Sequence, residues 1–150
     1  MIKHSIEINR PVDEVFAYLD QVDRHHEWQG SLVSTTVESD GLTREGTRVV
    51  ERRNLPGGTR DFPYEITEHD PPRRVAFRGT AGPVRPIGTY TVDPTGKSSA
   101  RMTVQLDFKG DGIGKLFAIL AHRQAAKQVP VDQEKFKELL ENGVVPAASK

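Results

Sequence analysis

The 150-residue chain predicts an α+β fold, a curved seven-stranded antiparallel sheet around one long C-terminal helix, with two short helices after the first strand. Three observations carry that expectation. Apolar and polar residues alternate through the first eight positions and again over most of 32–110. Turn-forming pairs and triplets interrupt the second stretch repeatedly. After Gly110-Asp111-Gly112 the apolar period becomes helical.

Taking the elements in order, Ile2, His4, Ile6 and Ile8 alternate with Lys3, Ser5 and Glu7, which predicts a strand with one buried face. Arg10-Pro11 breaks it, and Pro11 suits the first helical position, where an N–H is unpaired in any case. Asp13 and Glu14 favour the positive end of the helix dipole, and Val12, Val15, Phe16 and Leu19 form an apolar stripe. These predict a short helix over Pro11 to Leu19. Asp20 is expected to cap a second short helix from Val22 to about Glu27, ending at Trp28 and Gly30.

Strands are then expected over Leu32–Glu38, Thr47–Asn54, Arg60–His69, Arg73–Thr80, Ile87–Asp93 and Ser99–Lys109. The separators are Asp40-Gly41, Pro56-Gly57-Gly58, Asp70-Pro71-Pro72, Gly82-Pro83 and Pro94-Thr95-Gly96. The last strand places Met102, Val104, Leu106 and Phe108 on one face and Arg101, Thr103, Gln105 and Asp107 on the other, so one face of the sheet is solvated. The closing helix carries Ile113, Leu116, Phe117 and Leu120, then Phe136, Leu139 and Leu140, and Asn142-Gly143 ends it. Pro130 inside it predicts a kink or break near Val129, because proline removes a helical hydrogen bond at about 3 kcal/mol. The tail from Val144 to Lys150 has few anchors and is expected to be mobile.

The length fits one domain over 1–150. Lys plus Arg equals Asp plus Glu at 21 each, which argues against a nucleic-acid partner or a general polyanion partner. With no cysteine the chain has no disulfide framework, thiolate nucleophile or Cys-ligated metal. The N-terminus alternates instead of forming the apolar run of a signal peptide, and no apolar run approaches the roughly 20 residues of a membrane span. A cytoplasmic monomer or homodimer without metal or cofactor is the expectation.

An apolar sheet face must be covered, and only the C-terminal helix is long enough to cover it. A curved sheet gripping one helix leaves space between the two, so a small hydrophobic ligand is the expected partner. Between Leu120 and Pro130 the inward positions are Ala121, Gln124, Ala125 and Gln128, small or polar where neighbouring turns carry Phe and Leu. Either these leave volume for a ligand that the glutamines address, or the stretch is more exposed and bulky sheet residues close the gap. By alternation the lining is Trp28, Phe62, Tyr64, Phe77, Tyr90, Met102, Val104, Leu106 and Phe108 from the sheet side, with Phe117, Leu120 and Gln124 from the helix. Trp28, Tyr64 and Tyr90 fit a core position as well as a ligand contact.

Ser5-Ile6-Glu7-Ile8, Pro11, Val15-Phe16 and Trp28, together with Phe136-Lys137-Glu138-Leu139-Leu140-Glu141 at the end, resemble the bacterial polyketide cyclase/dehydrase-like group of the START-like (SRPBCC) superfamily. The resemblance covers nearly the whole chain and implies the helix-grip fold with an internal pocket. Its members include ligand carriers and cyclases, so the resemblance does not choose between binding and catalysis.

No catalytic constellation stands out in the sequence. His25 and His26 are adjacent, and neighbours on a helix point about 100° apart, so a solvated helix end is expected rather than a metal pair. His4, His69 and His122 are scattered. Gly110-Asp111-Gly112-Ile113-Gly114-Lys115 fails the spacing of a phosphate loop, and Leu116 stands where Ser or Thr would hold magnesium. That segment reads as a flexible lead-in to the long helix. Glu51, Arg52 and Arg53 interrupt a strand, which predicts an edge strand; the functional alternative is an inward Glu51 or Arg53 that polarises a bound carbonyl. A cyclase or dehydratase would need such a group, whereas an interaction module would have a closed core.

Overall fold

The computed structural model describes residues 1–144. Strand β1 (Ile2–Ile8) is followed by helix α1 (Val12–Leu19) and a 3-10 helix (Val22–Glu27). Strands β2 (Leu32–Val37), β3 (Arg48–Leu55), β4 (Gly58–Asp70), β5 (Arg74–Gly79), β6 (Val84–Gly96) and β7 (Ser99–Gly110) lead to helix α2 (Gly114–Glu141). All seven strands form one antiparallel sheet in the order β1-β7-β6-β5-β4-β3-β2. β2 to β7 form a meander, and β1 returns to pair with β7, Ile6 opposite Met102 and Ile8 opposite Ala100.

The inner face follows the period of two. Ile8, Val49, Ile66, Val92 and Met102 are all buried on it, and they meet α1, Trp28, Phe136 and Leu140 in one core. The β3–β4 hairpin turns at Pro56-Gly57, with Leu55 opposite Gly58. Gly57 has φ +97°, the conformation that the second central residue of a type II turn requires.

Several sequence expectations are corrected. β6 begins at Val84 and runs through Pro94-Thr95 to Gly96, because an irregularity between Pro94 and Gly96 absorbs the proline without ending the pairing with β7. Asp20 does not cap the second helix with its side chain; its carboxylate accepts from His69 Nε2 at 2.9 and 3.0 Å, tying α1 to β4. Of the kink or break expected near Val129, the break does not occur: α2 is continuous through Pro130. The carbonyl that loses its donor there belongs to exposed Ala126, so it is not stranded in the core, and burial of Asp132, Gln133 and Phe136 holds the following turns. At its end, Val144 N–H donates to the Leu139 carbonyl at 2.9 Å and Val144 packs on the core. The rest of the tail expected to be mobile lies outside the described residues.

Candidate functional site

α2 packs mainly on β7 and β1, with less contact to β6. The inner face of β3 to β6 is therefore left partly uncovered, and the first half of α2 stands above it. Between them lies a cavity of about 730 Å³, within the range of about 300–1,000 Å³ usual for small-molecule sites.

The structure places eleven of the twelve sequence-selected residues around this space. Phe62, Tyr64, Phe77, Tyr90, Val104, Leu106 and Phe108 form its sheet wall, Trp28 one end, and Phe117, Leu120 and Gln124 the helix side. The twelfth, Met102, is fully buried opposite Ile6 and Val92, one step deeper along β7, and belongs to the core. Ala121, Ala125 and Gln128 also line the cavity, so the small and polar turns of α2 do face it.

The aromatic residues form a connected wall. Trp28 stands edge-on to Phe136 (5.0 Å between centroids) and Tyr90 (6.3 Å), and Phe77 contacts Tyr64 (5.5 Å) and Tyr90 (6.2 Å). Gly88 makes room for that wall, since a Cβ there would lie 2.8 Å from Phe77 Cζ. Trp28 thus serves core and cavity at once.

At the end near Trp28 the wall turns polar. Glu51, only 7% exposed, and Arg53 lie on the face of β3 that also carries buried Val49, whereas Arg52 points outward to Asp61 at 2.9 Å. This corrects the edge-strand expectation: β2 is the edge, and β3 lies inside the sheet between β2 and β4. Parity with Val49 carried the signal, because residues two apart share a face. Arg53 donates to Glu51 at 2.7 Å, to Ser31 Oγ at 2.9 Å, and to Gln29 Oε1. Serving three acceptors lets a guanidinium sit this deep.

His25 is the second correction. It is buried against Trp28, and its Nε2 donates to the Leu19 carbonyl at 2.6 Å. His26 is the exposed member of the pair. The short 3-10 helix, at three residues per turn, rotates neighbouring side chains about 120° apart, so one histidine enters the core while the next faces water. Burial pushes the His25 imidazole below its ordinary range, and its Nδ1 faces Glu51 Oε2 at 4.0 Å.

Asp132 closes the polar end from α2. Its carboxylate accepts from Gly30 N–H at 3.0 Å and Gln128 Nε2 at 2.7 Å, and burial raises its pKa. Next to it, Gln133 donates to the Met102 carbonyl and accepts from His4, locking the helix to β1 and β7. Burial also raises the pKa values of Tyr64 and Tyr90, Glu51 adding to the effect, so both phenols are protonated. Sequence reasoning missed His25, Gln29, Asp132 and Gln133, since none repeats at a spacing that marks a site. Among the described residues no cluster of three His, Asp or Glu side chains is arranged for a metal, and no helix is long and apolar enough to cross a membrane.

The same architecture occurs in solved structures. The Zhui aromatase/cyclase of a Streptomyces species superimposes with a TM-score of 0.77 at 15% identity, covering 99% of this chain and 98% of that one. A START superfamily protein from Mycobacterium smegmatis gives 0.64 at 12% identity, covering 88% and 97%. At these identities the likeness concerns the fold alone. An uncharacterized 17.2 kDa protein of Streptomyces lincolnensis is 26% identical over 141 residues, covering 93% of this chain and 89% of its own length. Residues 1–141 match the family described as polyketide cyclase/dehydrase and lipid transport, and to that family the chain belongs.

Proposed function

We propose that the chain binds a small apolar or aromatic molecule in the cavity between the sheet and α2. One observation carries this reading: a 730 Å³ space with an aromatic wall converging on one polar end. Filling such a space with water alone would leave the rings of Trp28, Phe77 and Tyr90 hydrated, which costs free energy in proportion to the apolar area exposed. The test is titration with the neutral fluorophore N-phenyl-1-naphthylamine, comparing the native chain with the cavity-filled variant Ala121→Trp/Ala125→Phe. Saturable enhancement confined to the native chain is expected. Equal enhancement in both would place the probe on the surface and end the proposal.

An enzyme of the cyclase or dehydratase type is the second reading, favoured by the polar end. Proton abstraction next to a carbonyl needs a base and a group to stabilise the developing oxyanion. Neutral His25 and the Glu51 carboxylate supply the first, and the Arg53 guanidinium the second. Turnover of an enolisable β-dicarbonyl that vanishes in Glu51→Gln would support it, while stoichiometric binding without turnover supports binding alone. An interaction module requires a filled interior, so the open cavity weighs against it.

A further inference from the structure

The polar end of the cavity is rich in acceptors: Glu51 is served by Arg53 and by the Tyr64 hydroxyl, yet its Oε2 and His25 Nδ1 face each other 4.0 Å apart. The Leu19 carbonyl can only accept, so the proton of the neutral His25 ring is on Nε2 and Nδ1 presents a lone pair. Nδ1 lies 4.0 Å from Glu51 Oε2, too far for a hydrogen bond, and both residues line the cavity. Glu51 uses its other oxygen to accept from Arg53 at 2.7 Å. The donors of Arg53 are shared among Glu51, Ser31 and Gln29, so the guanidinium is largely satisfied. Asp132 adds a further carboxylate at the same end.

We propose that this pair reads a hydroxyl: the cavity selects a ligand whose O–H donates to Glu51 Oε2 or His25 Nδ1, and it rejects carboxylates. This rests on the cavity being a small-molecule site. A ligand carboxylate would bring a third set of lone pairs against Glu51, Asp132 and Nδ1, with the nearby cation already paired. An acidic hydroxyl, phenolic or enolic, gains most, because O–H donation to a carboxylate is about twice as strong as a neutral bond. The rings of Trp28, Tyr90 and Phe77 suit an aromatic body behind it. Tyr90 hydroxyl has no hydrogen-bond partner among the described residues and can donate to the same ligand oxygen.

Three probes of one size separate these terms: 1-naphthol, 1-methoxynaphthalene and 1-naphthoate, titrated calorimetrically into the full chain at neutral pH. The expected order is naphthol about ten- to a hundredfold tighter than the methyl ether, the cost of a lost hydrogen bond to a charged group, with naphthoate weakest. Glu51→Gln should shrink the naphthol preference to a few-fold while the ether, which donates no hydrogen bond, still binds, and an unchanged far-UV circular dichroism spectrum certifies the fold. His25→Phe serves as the second variant should the first not fold. Equal affinity for naphthol and ether, or an undiminished preference in the variants, overturns the hydroxyl assignment and leaves the cavity reading standing. Naphthoate binding tightest overturns it in favour of an anion site at Arg53. No binding by any probe overturns both readings.

Discussion

The two halves of α2 carry apolar side chains of the same kind in opposite surroundings. Beyond Pro130, Phe136 and Leu140 are buried and Gln133 is held by His4 and the Met102 carbonyl. Before it, Leu116, Phe117, Ile119 and Leu120 are between 41% and 58% exposed, although this half is the more apolar. Hydrophobicity alone does not tell which half docks. The second half seats Phe136 and Leu140 in the core, and Lys137 Nζ to the Glu7 carbonyl at 2.7 Å, Asn9 N–H to Glu141 at 2.8 Å and the Gln133 bonds add polar contacts to β1 and β7. The first half is held at its tip, and the gap beneath it is the cavity.

Truncations should separate the halves most strongly. Phe136→Ala is expected to cost about 3–5 kcal/mol in urea unfolding, through lost burial and the void left behind. Less than about 1 kcal/mol would mean that the docked half is not the anchor. Arg53→Met comes next, at about 3 kcal/mol, since it leaves the Glu51 carboxylate buried without its cation. A variant as stable as the native chain would show that the cavity end hydrates Glu51 freely.

Gly114→Ala tests the tip. A Cβ at Gly114 would lie 2.2 Å from the Pro83 carbonyl oxygen, and one at Gly110 would lie 2.3 Å from the Gly114 carbonyl oxygen. Overpacking there should cost about 1–3 kcal/mol by the same assay. A neutral result would favour the flexible lead-in expected from the glycine spacing. The pH response is subtler. Burial keeps His25 neutral, so the unfolded chain takes up its proton first; the stability this contributes is complete above the unfolded pKa of about 6.5 and is lost as pH falls through the lower folded value. Melting temperatures of the native chain should therefore drop below neutral pH, less steeply in His25→Phe. Asp20 and Asp132, with pKa values raised by burial, act in the opposite sense at lower pH, because protonation relieves the cost of their buried charge. Leu116→Ala should move stability by no more than about 0.5 kcal/mol and leave probe binding unchanged, as its side chain is exposed and outside the lining.

Much of this molecule was legible before any coordinates. The alternation in β1 and β7 named the faces correctly, and Ala121, Gln124, Ala125 and Gln128 marked where the helix turns small and polar above the cavity. Glu51 and Arg53 were legible in principle, since Val49 shares their parity. His25 was not, because the rotation of the short 3-10 helix decides which of two adjacent histidines enters the core.

Period and turn chemistry determined the strands, their order along the chain and the long closing helix, because those depend on each residue and its near neighbours. Tertiary structure alone decided that α2 passes unbroken through Pro130, that its more apolar half stands away from the sheet, and that Glu51, Arg53, His25 and Asp132 meet at one end of the space it leaves. These outcomes depend on contacts between residues far apart in the chain, such as Gln133 with His4 and Gly30 with Asp132, whose partners no local pattern specifies.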